Sequence, residues 1–122
     1  MFSIDPTVEL LGRTLDACAL RQAVYSANIA NADTPGYRPL EVSFETELQK
    51  AVQVTTGGEW TDQVRVLNAI EPAVVPATMD TVHLDQQMAL MAKNALHYEQ
   101  LLGAFQRSMS LLRMAVLEGR EG

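Results

Sequence analysis

Ala27-Asn28-Ile29-Ala30-Asn31-Ala32-Asp33-Thr34-Pro35-Gly36-Tyr37 decides how this chain is read. Pro35 fixes its own φ, has no N–H to give, and pushes Thr34 out of the helical region. Pro followed by Gly suits positions i+1 and i+2 of a type II turn, where Gly36 takes a positive φ at little cost. Asn31 suits the C-terminal cap of a helix. Asn28 lies one turn earlier, where capping does not explain it. Its amide is expected to bond to the following turn or to a neighbouring helix and so fix register, as buried Asn does in coiled coils. The stretch predicts a helix that ends and a chain that reverses.

Upstream, Val8, Leu11, Leu15, Cys18, Gln22, Tyr25, Ile29 and Ala32 advance in steps of three and four, with Gln22 the polar exception. This predicts a helix over about 7–32, with Asp5 as N-cap and Pro6 at the first helical position. Far downstream, Leu84, Met88, Met91, Ala95, Tyr98, Leu102, Phe105, Met109, Leu112 and Val116 repeat the pattern with no polar member. That spacing predicts a second long helix whose seam pairs with the first. The seam residues expected to pack are Leu11, Leu15, Tyr25 and Ile29 against Met88, Met91, Tyr98, Leu102, Phe105, Met109 and Leu112. Thr81 or Asp80 would cap its start, and Gly119 its fraying end.

Both helices carry further apolar residues off the seam: Leu10, Ala17, Leu20, Val24 and Ala27 on the first, Leu90, Leu96, Ala104, Leu111 and Met114 on the second. A buried Leu contributes about 1.5–3 kcal/mol, so a lone hairpin would leave much of that unused. Burial by neighbouring copies is the simplest solution; the alternative is a small bundle whose middle segment folds back over the second face.

Between the helices, Glu41–Val52 reads as a short helix or an extended run, and Thr55-Thr56-Gly57-Gly58 breaks it. Val64-Arg65-Val66-Leu67 alternates like a short strand before Pro72 and Pro76. The fold class expected is mainly α: two long terminal helices pairing as an antiparallel coiled-coil hairpin, with a small irregular, β-containing middle segment. The expected division is 1–37 for the first helix and its turn, 38–80 for a small, partly mobile middle with little core of its own, and 81–122 for the second helix, which shares one domain with 1–37.

At 122 residues the chain makes at most one domain, and its net charge of −6 argues against a nucleic-acid partner held through phosphates. Cys18 stands alone, which removes intramolecular disulfides and cysteine metal clusters. There is no phosphate-binding loop, dinucleotide fingerprint, nucleophile elbow or zinc-protease motif, so no catalytic, metal or cofactor site is assigned. His83 and His97 would lie about 21 Å apart along one helix, too far to share an ion. No run is long enough to span a bilayer, and the N-terminus has none of the regions of a cleaved signal peptide.

The Ala27–Tyr37 string resembles the motif of bacterial flagellar axial proteins of the rod and hook class. Glu41–Leu48, Val82–Met88 and Asn94–Tyr98 resemble further parts of the basal-body rod proteins, with His83 and Gln87 standing where acidic residues are expected. The short middle points to the proximal rod within that class. The resemblance implies a non-enzymatic structural subunit, made in the cytoplasm, exported by the flagellar type III system without signal cleavage, and assembled helically into the periplasm-spanning rod to transmit torque. It implies as partners other copies, other rod subunits, the FliE-like adaptor to the membrane ring, and the export gate. The motif residues would be Asn28, Asn31, Thr34, Pro35, Gly36 and Tyr37. Phe44 and Leu48 resemble an export-gate recognition pattern, with core packing as the rival role for Phe44. The alternatives are another axial protein of the same class, and a small cytoplasmic helical adaptor or export chaperone.

Overall fold

A computed structural model describes residues 6–55 and 60–121. The elements run α1 (Pro6–Ala30), β1 (Leu40–Ser43), α2 (Glu45–Thr55), α3 (Trp60–Asn68), β2 (Ala73–Pro76) and α4 (Leu84–Glu121). Asp5, and Thr56 to Gly58 of the expected break, lie outside the described residues.

Two helices dominate. α1 has 25 residues and α4 has 38, or about 37 and 57 Å at 1.5 Å per residue. They pack side by side and antiparallel: Asn28 meets Gln87, Ser26 meets Met91, Cys18 meets His97, and Gly12 lies against Phe105. α4 begins at Leu84 rather than at Thr81, because the Gln87 N–H closes the first helical bond onto the His83 carbonyl at 3.0 Å. Asp85 sits in that first turn, where the helix dipole favours a carboxylate. Gly119 lies within α4, so the helix runs past the expected fraying point.

The middle corrects two expectations. Val64-Arg65-Val66-Leu67 is part of α3, not a strand. Four alternating residues cannot separate the two periods, and here the nine-residue window from Trp60 to Asn68 carries the helical one. Second, the segment does not leave the off-seam face of α1 open. β1 and α3 both pack on α1, and Ala17 and Val24 are 0% and 5% exposed beneath them. Phe44, at the junction of β1 and α2, is 1% exposed and shares this core. For α1, then, the fold-back alternative holds.

β1 and β2 pair antiparallel, with Leu40 opposite Pro76 and Ser43 opposite Ala73. Pro76 can sit there because the Leu40 N–H and C=O face away from β2, toward α1. The Ala77 N–H then donates to the Pro39 carbonyl at 2.9 Å and ends the ladder.

The seam on α4 also differs from the expected line. Its most buried members are Gln87 (5%) and Asn94 (7%), one heptad apart. Met88, expected in the seam, is 53% exposed, and Ala95 is exposed too. The inner stripe starts with polar residues, and the all-apolar line drawn from Leu84 crosses onto the outer face at this end of the helix.

Candidate functional site

The best-built polar site lies where the last turns of α1 meet β1 and the start of α4. Asn28 is fully buried. Its Oδ1 accepts from the Tyr37 hydroxyl at 2.7 Å and from the Leu40 N–H at 3.0 Å. Its Nδ2 donates to the Leu40 carbonyl at 2.9 Å and to Gln87 Oε1 at 3.0 Å. An Asn amide has two donor hydrogens and two acceptor lone pairs, and all are used. The pair of bonds to Leu40 imitates a neighbouring strand, so the side chain supplies the edge that β1 otherwise lacks. One buried amide thereby joins the helix, the turn that follows it, the first strand and the far helix.

Asn31, Thr34, Pro35, Gly36 and Tyr37 shape the route into this node. Asn31 Nδ2 donates to the Ala27 carbonyl at 2.8 Å, beside the Asn31 N–H at 3.1 Å, and so satisfies an end-of-helix carbonyl. The Thr34 hydroxyl and N–H donate to Asn31 Oδ1 and O at 3.1 and 3.0 Å. Gly36 has φ +79°, and the Tyr37 N–H donates to the Thr34 carbonyl at 3.2 Å. With Pro35 before it, this is a type II turn. It reverses the chain within four residues and returns the Tyr37 hydroxyl to Asn28.

A second polar rung lies further along the hairpin. Asn94 Nδ2 donates to the Cys18 carbonyl at 2.8 Å and to Gln22 Oε1 at 2.9 Å. The Asn94 rung and the Gln87 contact were not found from sequence; the available signal was their heptad spacing on one line of α4. Around and beyond these rungs the interface is apolar. Leu15 is buried, and Leu11, Tyr25, Ile29, Met91, Tyr98, Leu102, Phe105, Met109 and Leu112 are half-buried. Phe44 is buried and Leu48, one turn into α2, is half-buried. Arg21 on α1 forms an ion pair with Glu45 in the first turn of α2.

Cys18 has a neighbour that the sequence did not reveal. His97 Nδ1 stands 3.6 Å from its Sγ, across 79 residues. Burial pushes the Cys18 thiol above its ordinary value, against the opposing pull of Arg21. A thiol held in its neutral form is a poor nucleophile, and the pair serves the helix contact. Burial likewise raises the Tyr25 phenol. No group of three or more metal-ligating side chains occurs among the described residues, and no described helix is long and apolar enough to cross a membrane.

Together these features define a helical-hairpin protein, latched by a buried amide at one end, with its longer helix only partly covered. A family model described as "Flagella basal body rod protein" matches residues 10–38, which contain Asn28, its partner Tyr37 and the turn between them. The flagellar basal body rod protein FlgB of Escherichia coli is 31% identical over 83% of this chain and 86% of its own length. That of Salmonella typhimurium is 32% identical over 95% of this chain and 96% of its own length. That of Borreliella burgdorferi is 47% identical over a shorter stretch, 42% of this chain and 38% of the relative. The chain belongs to the FlgB family of flagellar basal body rod proteins, structural subunits of the rod.

Proposed function

We propose that this subunit passes the flagellar type III export gate unfolded, refolds as it joins the periplasm-spanning rod, and transmits torque there through its α1–α4 hairpin. Its partners are other copies of itself, other rod subunits, and the FliE-like adaptor that joins the rod to the membrane ring; it has no catalytic role. One observation carries this reading: α4 leaves Leu96, Leu111, Met114 and Leu117 between 53% and 66% exposed, whereas α1 exposes no large apolar side chain among the described residues. Subunits on every side would bury those residues. The Asn28 node and the Thr34–Tyr37 turn then set the angle at which the middle segment leaves the hairpin. The seam residues keep the two helices in register under load. Phe44 is buried in the folded protein, so a gate that reads Phe44 and Leu48 meets them on the unfolded chain.

Expression in a motile host lacking its own FlgB tests the proposal. Recovery of the chain in purified basal bodies, with swimming restored, is the expected result. A chain that stays cytoplasmic and folded in that host would overturn it.

A further inference from the structure

The two-stranded sheet has two edges, and they are closed by different means. On the α1 side the Asn28 amide occupies the Leu40 N–H and C=O. β2 forms the other edge, across β1 from Asn28, and its Ala73, Val74 and Pro76 are exposed.

The pairing register fixes which backbone groups that outer edge presents. Along an antiparallel pair, facing residues alternate between bonding each other and turning their N–H and C=O outward. Leu40 turns outward, so its partner Pro76 does too, and so do Val42 and Val74 two residues along. The same alternation puts the Pro72 nitrogen on the outer line. At the other end the Ala77 N–H, one residue past Pro76, donates inward to the Pro39 carbonyl. The outward donor positions are therefore 72, 74 and 76, and the sequence fills them with Pro, Val and Pro. Val74 alone of these has an N–H to give. Neither proline falls at an inward position: proline at 73 or 75 would remove a donor to Ser43 or Glu41 and break the ladder.

Exposed strand edges carry charge, proline or a bulge against unwanted pairing. From Pro72 to Met79 the chain has no charged residue, and Val74, 44% exposed, makes the edge apolar. Two copies bringing these edges together antiparallel about Val74 would set residue 72 of each against residue 76 of the other. Each facing pair would exchange two bonds. With prolines at both outer positions, only the bonds between the two Val74 residues survive, and unpaired carbonyls of Pro72 and Pro76 are pressed against proline rings.

We propose that Pro72 and Pro76 guard the outer edge of β2 against strand pairing with a second copy of this chain. The guard is independent of the rod reading: it closes the sheet to copies whatever else they assemble through. It works by withholding donors on one side of β2 while leaving intact those that hold β2 to β1.

Replacing both prolines in the full chain, Pro72→Val with Pro76→Val, returns the two outward N–H groups and tests the guard. Self-association measured by sedimentation should rise about tenfold over the parent, with new intermolecular sheet in the infrared amide band and unchanged helical circular dichroism. Adding Val74→Lys to that variant should return it to the parent's level, since a lysine blocks the same edge by charge. A double variant that associates no more than the parent, or whose association gains no sheet or survives Val74→Lys, overturns the proposal. Pro72→Val alone leaves β2 itself untouched and carries the same criterion should the double variant lose its helical signal. Amide hydrogen exchange on the parent chain reads the edge directly: the Val74 N–H should exchange fast and the Ala73 and Val75 N–H groups slowly, and protection at Val74 overturns the proposal.

Discussion

Asn28 on α1 and Gln87 on α4 meet amide to amide at 3.0 Å, both buried, with 59 residues between them. That contact fixes the axial register of the hairpin, because sliding either helix by one residue, about 1.5 Å, breaks it. Under the torque-bearing role proposed above, register matters because the subunit is loaded along and around its axis. Apolar contacts alone tolerate slippage, whereas a buried amide without its partner is costly.

Replacing Asn28 should therefore cost more than removing any single one of its bonds. Asn28→Leu strands the Leu40 N–H and C=O, the Tyr37 hydroxyl and the Gln87 amide, and should destabilise the fold by about 3–5 kcal/mol. Tyr37→Phe removes one donor while Oδ1 still accepts from Leu40, and should cost about 1 kcal/mol. Urea denaturation of the two variants checks the ranking; equal losses would show that Asn28 is not the hub.

Gly36 carries the turn. At φ +79° a side chain is strained even though a Cβ there meets no atom within 4 Å. Gly36→Ala should cost about 1 kcal/mol and Gly36→Val about 1–3 kcal/mol, the branched residue being worse. Denaturation midpoints measure this, and a Gly36→Val protein as stable as the parent would exclude the turn described.

Gly12 should behave in the opposite way. It lies inside α1, and an added Cβ would meet Phe105 at 3.5 Å, an ordinary van der Waals separation. Gly12→Ala should raise stability by about 0.5–1 kcal/mol by restricting the unfolded chain and improving helix propensity. A lower Tm in thermal melts would mean that the helices approach more closely than this.

The raised thiol of Cys18 gives a pH dependence with a definite sign. Above the ordinary thiol range the unfolded chain loses the proton while the folded chain keeps it. The folded state then binds more protons, so stability is intact below that range and falls as pH rises through it. Tyr25, raised in the same direction, adds a further fall at higher pH. Cys18→Ala should flatten the first part of the decline, measured as denaturation midpoints from pH 7 upward. Alkylation of native Cys18 by iodoacetamide should also be slow at neutral pH, since the thiol is buried and neutral.

The sequence alone determined the two long helices, the Pro35–Gly36 reversal and the absence of any familiar catalytic motif, because helical periodicity and turn chemistry act over neighbouring residues. It also marked Asn28 as unexplained by capping. What the tertiary structure decided was long-range. It decided that β1 and α3 cover Ala17 and Val24, that the α4 seam begins with Gln87 and Asn94 while Met88 points outward, and that His97 reaches Cys18. Local pattern shows that a helix face is apolar but not which distant segment will cover it. That choice falls to the packing that satisfies the most apolar surface and every buried polar group at once, and in this chain the four bonds of one asparagine made the difference.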